Sequence, residues 1–178
     1  MRNVLTLLLA SIAGLAIGIG AAWLTRSSNT GSQPSSGFAE VGDYRPDFQH
    51  AGIYGKLWRA SDFDGQPLLL NFWATWCAPC VREMPLLQEI SDEHGDSLQV
   101  IGVAIDEPGV VRGFIEGLDI DYPILIGTTD VRATLQAYGN HGGMLPYTAL
   151  VDAGGILRWQ HLGELKPDEL RRQIEAIR

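Results

Sequence analysis

The run Leu68-Leu69-Leu70-Asn71-Phe72-Trp73 carries no charge and is followed, three residues later, by Cys77-Ala78-Pro79-Cys80 and a helix-like segment. So continuous an apolar run suits a central strand covered on both faces, which requires layers of helix around a sheet. Cys77 and Cys80 are the only cysteines in 178 residues. Two thiols separated by two residues, where a strand hands over to a helix, read as a redox pair. The positive end of the helix field and the unpaired N–H groups of the first turn both stabilise thiolate. Such placement lowers a thiol pKa from about 8.5 into the range of roughly 3.5–7.5. Two blander readings compete with this one. A zinc site needs two further ligands at suitable spacing, and His50, His94, His141 and His161 are scattered. A structural staple closing so short a loop removes little unfolded-state entropy.

Charge narrows the function classes. The chain carries a net −8, and its first 26 residues hold two bases (Arg2 and Arg26) and no acid. The remainder has 11 basic against 21 acidic residues. Phosphate contacts are built from Lys and Arg, so nucleic acid is excluded as a partner.

Val4–Leu24 contains no charged residue across 21 positions. As a helix it would span roughly 31 Å, the thickness of a bilayer core. It is long for a cleaved signal peptide, so residues 1–24 are expected to form an uncleaved signal anchor, single-pass, with the following domain outside the cytoplasm; the small residues at Ala21-Ala22 leave cleavage as the alternative. An oxidising compartment suits a disulfide-exchanging pair. Residues 25–37 (TRSSNTGSQPSSG) have the composition of a flexible tether, and residues 38–178 form the domain.

Within the domain, segments around Asp47–Gln49 and Lys56–Arg59 predict a β-hairpin, and Ser61–Asp64 a short helical turn. Ala78–His94 places Val81, Met84, Leu87 and Ile90 at helical spacing, with Pro85 predicting a kink and Gly95 a stop. Leu98–Ile105 predicts a second buried strand, Val110–Leu118 a short helix, Tyr122–Ile126 a strand and Thr129–Tyr138 a helix. Tyr147–Val151 and Ile156–Leu162 predict a hairpin around Asp152-Ala153-Gly154-Gly155. Pro167–Ile177 predicts a closing helix. The order implies an α/β fold with a mixed central sheet flanked by helices.

These residues resemble the thioredoxin fold and, within it, the TlpA/ResA/CcmG-like group of membrane-anchored thiol–disulfide proteins. The likeness runs from about Gly42 to the C-terminus. It is carried by Asn71-Phe72-Trp73-Ala74-Thr75-Trp76-Cys77-Ala78-Pro79-Cys80, by Glu83 with Pro85, by Leu145-Pro146-Tyr147-Thr148, and by Asp152 with Gly155. A β–α insertion between the Leu98 strand and the Thr129 helix is similar to this group rather than to plain thioredoxin. The resemblance implies that Cys77 attacks and Cys80 resolves; placement agrees, since Cys77 should be the more exposed and Cys80 one turn inside. It implies that Pro146 is a cis-proline facing the pair, with Trp76, Pro79 and Leu145 completing the wall of a substrate groove. Trp76 should flank the disulfide and report its state by fluorescence. Where thioredoxin carries a buried aspartate, this chain has Asn71, which cannot titrate. Glu83, three residues after Cys80 and so on its helical face, is expected to tune the thiols and relay a proton, against the plainer reading of a solvated surface acid. Trp73 reads as core or cleft wall, Arg82 as solvent-exposed, and His141 as a surface residue beside the groove.

The activity so implied is that of a membrane-tethered protein disulfide reductase, needing no cofactor or metal. Its partners would be disulfide-bearing proteins, apocytochrome c among them, and a membrane electron donor. The alternatives are a disulfide-donating oxidant or isomerase, a peroxidase, and a metal-binding chaperone. A peroxidase wants threonine three residues before its cysteine, whereas Thr75 is two before. Chaperones of this fold use a wider Cys-x-x-x-Cys spacing and a downstream histidine.

Overall fold

The computed structural model describes residues 37–178. The anchor expected over residues 1–24 and nearly all of the tether lie outside the described residues. Among the described residues, no helix is long and apolar enough to cross a membrane.

Seven strands form one sheet: β1 (Gln49–Gly52), β2 (Leu57–Arg59), β3 (Leu68–Trp73), β4 (Gln99–Ile105), β5 (Ile124–Gly127), β6 (Tyr147–Val151) and β7 (Leu157–Leu162). Their order across the sheet is β2-β1-β5-β4-β3-β6-β7. Strands β3, β4 and β5 are parallel neighbours, while β6 and β1 pair antiparallel to β3 and β5, which makes the sheet mixed. The helices are α1 (Ala78–His94), α2 (Pro108–Ile115), α3 (Thr129–Ala137) and α4 (Pro167–Glu175).

Strand β3 is central because all six of its residues are apolar or neutral, and all are buried. Side chains alternate across it. Leu68, Leu70 and Phe72 enter one core with Val131, Leu135 and Tyr138. Leu69 and Trp73 enter the other with Met84, Leu87, Ile90, Val111, Leu170 and Ile174. Asn71 therefore faces the side occupied by α1. The fold is the thioredoxin-like α/β sandwich that the resemblance implies, with the hairpin β1–β2 added at one edge.

Several boundaries move, for identifiable reasons. The first hairpin strand begins at Gln49 rather than Asp47, whose carboxylate instead accepts from the Phe48 N–H at 3.0 Å. Helix α2 begins at Pro108, since proline suits a first turn, and ends at Ile115 rather than Leu118. Strand β5 starts at Ile124 because Pro123 has no N–H to give the ladder. In α1 the buried stripe is Cys80, Glu83, Met84, Leu87 and Ile90, with Val81 only half-buried. Met84, Leu87 and Ile90 keep the expected stripe, and Cys80 and Glu83 join it ahead of Val81, so that a cysteine and an acid face the core. Pro85 sits inside α1, and Gly95 ends it with φ 49°.

Gly102 on β4 shows how closely this core is filled. A Cβ built there would lie 2.9 Å from Ile124 Cδ1, 3.0 Å from Trp73 Nε1 and 3.1 Å from Tyr122 Cε2. Gly102→Ala is expected to destabilise the domain by about 1–3 kcal/mol through overpacking, read as a lower urea midpoint at unchanged slope. A midpoint equal to wild type would show that the Trp73 ring yields.

Candidate active site

The site is made where β3 stops. The Cys77 N–H donates to Ala74 O at 3.1 Å, closing a tight turn, and the Thr75 hydroxyl donates to Asp106 Oδ2 at 2.6 Å, pinning that turn to the end of β4. Cys77 is the N-cap of α1 in extended conformation (φ −90°, ψ 93°), and Pro79 follows in the first turn. Cys77 and Cys80 form a disulfide, with their Cα atoms 5.3 Å apart. Cys80 is 0% exposed and Cys77 only 5%. The expected ordering of exposure appears, but Cys77 is far less open than a helix start suggests. A partner sulfur must approach along the axis of the S–S bond.

Trp76 stands next to the pair, 67% exposed, and Pro79 is half-buried. The Leu145–Pro146 peptide is cis; Pro146 is buried, and Leu145 packs against the core cluster that holds both cysteines. Asn140 closes the glycine-rich loop before it: its Nδ2 donates to Met144 O at 2.7 Å and its Oδ1 accepts from the Met144 N–H. His141 is exposed, meeting the edge of Phe38 with ring centroids 4.2 Å apart. Trp73 is wholly core, with its ring against Phe114.

Beneath the cysteines lies a buried polar group. Glu83 is 2% exposed, which rules out a solvated surface acid. Asn71 Nδ2 donates to Glu83 Oε1 at 2.7 Å and to Thr148 Oγ1 at 3.0 Å. Asn71 and Thr148 stand directly opposite in the antiparallel β3–β6 pair. The Leu165 N–H, from the loop after β7, donates to Glu83 Oε2 at 2.8 Å. Burial pushes the Glu83 carboxyl up from 4.5 to about 7, against the two donors that favour the anion and with help from the charge of Glu164. Burial, with the Glu83 charge, also raises the Tyr122 phenol, which marks Tyr122 as a neighbour in the same field. Arg82 is on the surface as expected, but its guanidinium grips Glu164 with Nε 3.1 Å and Nη2 2.5 Å from Oε2. No local pattern points to Leu165 or Glu164, which lie some eighty residues away in sequence.

The histidines do not converge on the pair. His50 is buried on β1, with Nδ1 3.1 Å from Asp130 Oδ2 and Nε2 2.8 Å from Thr134 Oγ1, which ties the hairpin to α3. Among the described residues no group of three or more His, Cys, Asp or Glu side chains is placed to share a metal ion.

A family profile described as the AhpC/TSA family matches residues 41–160. Thiol-disulfide oxidoreductase ResA of Geobacillus thermodenitrificans (strain NG80-2) is 34% identical over 140 residues, covering 78% of this chain and 78% of the relative. A Chlorobium tepidum protein proposed to be a thiol:disulfide interchange protein DsbE superposes with TM-score 0.70 at 28% identity, over 78% of this chain and 97% of the other. The pneumococcal exposed lipoprotein thioredoxin Etrx1 of Streptococcus pneumoniae strain TIGR4 superposes with TM-score 0.65 at 29% identity, over 74% and 99% respectively.

Proposed function

The chain belongs to the AhpC/TSA family of thioredoxin-like proteins, among its ResA-like thiol–disulfide oxidoreductases, and from that premise we propose a reductant of protein disulfides working through Cys77, Cys80 and Glu83. The observation that carries this reading is the buried Glu83 one turn behind a cysteine pair at a helix N-terminus. The Cys77 thiolate attacks one sulfur of a substrate disulfide. A Cys77–substrate bond forms, and the other substrate sulfur leaves as thiolate and takes a proton. Cys80 passes its proton to the Glu83 carboxylate and attacks Cys77 as thiolate. The substrate then departs as a dithiol, two electrons the richer, and Cys77–Cys80 becomes the disulfide of the structure. A protein electron donor reverses the exchange to reset it.

Charge supports that direction. A strongly oxidising pair owes its potential to a stabilised thiolate in the reduced form. Here burial and a carboxylate oppose the thiolate, and only the helix N-terminus favours it. The reduced form therefore lacks that stabilisation. The Cys77–Cys80 potential is expected near or below the roughly −270 mV of thioredoxin, measured by equilibration in dithiothreitol buffers. A value above about −180 mV would sink the reductant reading in favour of an isomerase or oxidant. Peroxide reduction is disfavoured, because the Thr75 hydroxyl is committed to Asp106.

The same proposal reads residues 1–24 as a membrane anchor, residues 25–37 as a tether, and the domain as extracytoplasmic, facing the periplasm or cell exterior. The uncharged Val4–Leu24 stretch supports it. The likeness to an exposed lipoprotein supports the placement of the domain outside the cytoplasm. Disulfide-bearing proteins such as apocytochrome c would be the substrates, with a membrane electron donor. Trp76, Pro79, Leu145 and Pro146 form the wall against which they dock.

A further inference from the structure

The two donors that hold Glu83 are anchored very differently. Asn71 lies in the central strand, paired to β4 on one side and β6 on the other, and cannot shift without the sheet. Leu165 lies in the four-residue connection between β7 and α4, and its N–H reaches Glu83 only while that connection stays in place. Three contacts keep it there. The Gly163 N–H donates to Pro146 O at 2.9 Å. The Leu165 side chain is buried in the core of α1. Between them, Glu164 receives Nε and Nη2 of Arg82, the residue immediately before Glu83. One short loop thus touches the cis-proline wall, the redox helix and the buried acid in three successive residues.

We infer that the Arg82–Glu164 pair is a latch that holds the Gly163-Glu164-Leu165 loop across α1, making Arg82 and Glu164 positioning residues for Glu83. The inference rests on Glu83 serving the cysteine pair, as proposed above. An exposed ion pair shifts an equilibrium by up to about five-fold, and a bidentate arginine belongs at the upper end of that range. Opening the latch lets the Leu165 N–H leave Glu83, which removes stabilisation from the carboxylate but not from the acid. The effect is confined to the ionised form and so appears as a shift in pH response. The other titratable or charged groups on adjoining elements include Tyr122, Glu164 itself, Lys166 of the same connection, and His161, whose Nε2 lies 3.4 Å from Glu164 O and whose Nδ1 lies 4.0 Å from Glu169 Oε1 on α4.

Lysine in place of Arg82 separates geometry from charge, because it keeps the positive charge but cannot form the two-pronged contact. The test follows iodoacetamide alkylation of Cys77 in the reduced full-length chain from pH 5 to 9, with thermal midpoints recorded alongside. Wild type should show an inflection from Glu83 near 7. Arg82→Lys should move it up by about half a unit, about three-fold in the equilibrium, and Arg82→Gln at least as far. A merely structural pair would lower the thermal midpoint and leave the inflection in place, and that result overturns the latch. Cys77 adds its own thiolate step to the same curve, and Glu83→Gln should leave that step and erase only the Glu83 inflection. If it persists there, the Glu83 reading itself fails; if it vanishes there but is unmoved by Arg82→Lys, only the latch fails.

Discussion

Cys80→Ser is expected to turn the protein into a trap that accumulates a covalent Cys77–partner disulfide and loses multiple turnover by on the order of 10³-fold or more. Cys77→Ser should lose turnover as completely and capture nothing. The reason lies in which sulfur can be reached. Cys77 caps the helix and keeps a small exposed area, whereas Cys80 is sealed behind it in the core. Without Cys80 no thiolate remains in line with the Cys77–substrate bond, so the intermediate persists until an external thiol cleaves it. Non-reducing gels followed by mass identification of the trapped chain read the outcome and name the substrate. Capture by Cys77→Ser instead of Cys80→Ser would reverse the two roles.

A second large effect concerns folding. Glu83 titrates near 7 in the folded chain, against 4.5 when unhindered. Between those values the native state binds the extra proton, so stability falls as pH rises through this window and levels off above it. From pH 5 to pH 8, wild type is therefore expected to lose about 2–3 kcal/mol more than Glu83→Gln, compared by urea unfolding with the disulfide intact. The substitution is tolerable locally. Asn71 Oδ1 is buried and has no partner among the described residues. The Asn71 amide can turn over to accept from a glutamine amide, or from a protonated Glu83, while the Thr148 hydroxyl rotates to suit. Parallel stability curves for the two proteins would mean that Glu83 is not the group that titrates. With Glu83 as the proposed proton acceptor for Cys80, the same change should slow disulfide reduction by about 10²-fold.

Much of this site was legible along the chain because it is local. Strand β3, the turn at Cys77 and helix α1 are contiguous, and apolar runs and Gly95 mark their ends by rules acting over a few residues. The placement of Glu83 at Cys80 plus three depends only on helix periodicity. Pro146 was reached through resemblance rather than spacing. The misplaced ends of β1, α2 and β5 lie where Asp47, Pro108 and Pro123 decide which backbone groups have partners, a question that hydrophobic patterning does not ask. Glu83 itself was legible as a position but not as an environment. A helix-face acid becomes a titrating group near neutrality only when a sheet, a neighbouring helix and a loop remove its water.

The amino-acid sequence by itself determined the fold class, the redox pair and the order of the elements around it, since each follows from short-range backbone chemistry and from two cysteines with no other possible partner. Only the tertiary structure decided how closed the pair is and what surrounds it. Asn71 and Thr148 meet through strand register, and Leu165 and Glu164 are brought to α1 by the connection that follows the edge strand β7. The physical reason is that desolvation and hydrogen bonding act through space. A carboxyl buried among groups twelve, sixty-five and eighty-two residues away owes its protonation state to a packing arrangement that no local stretch encodes.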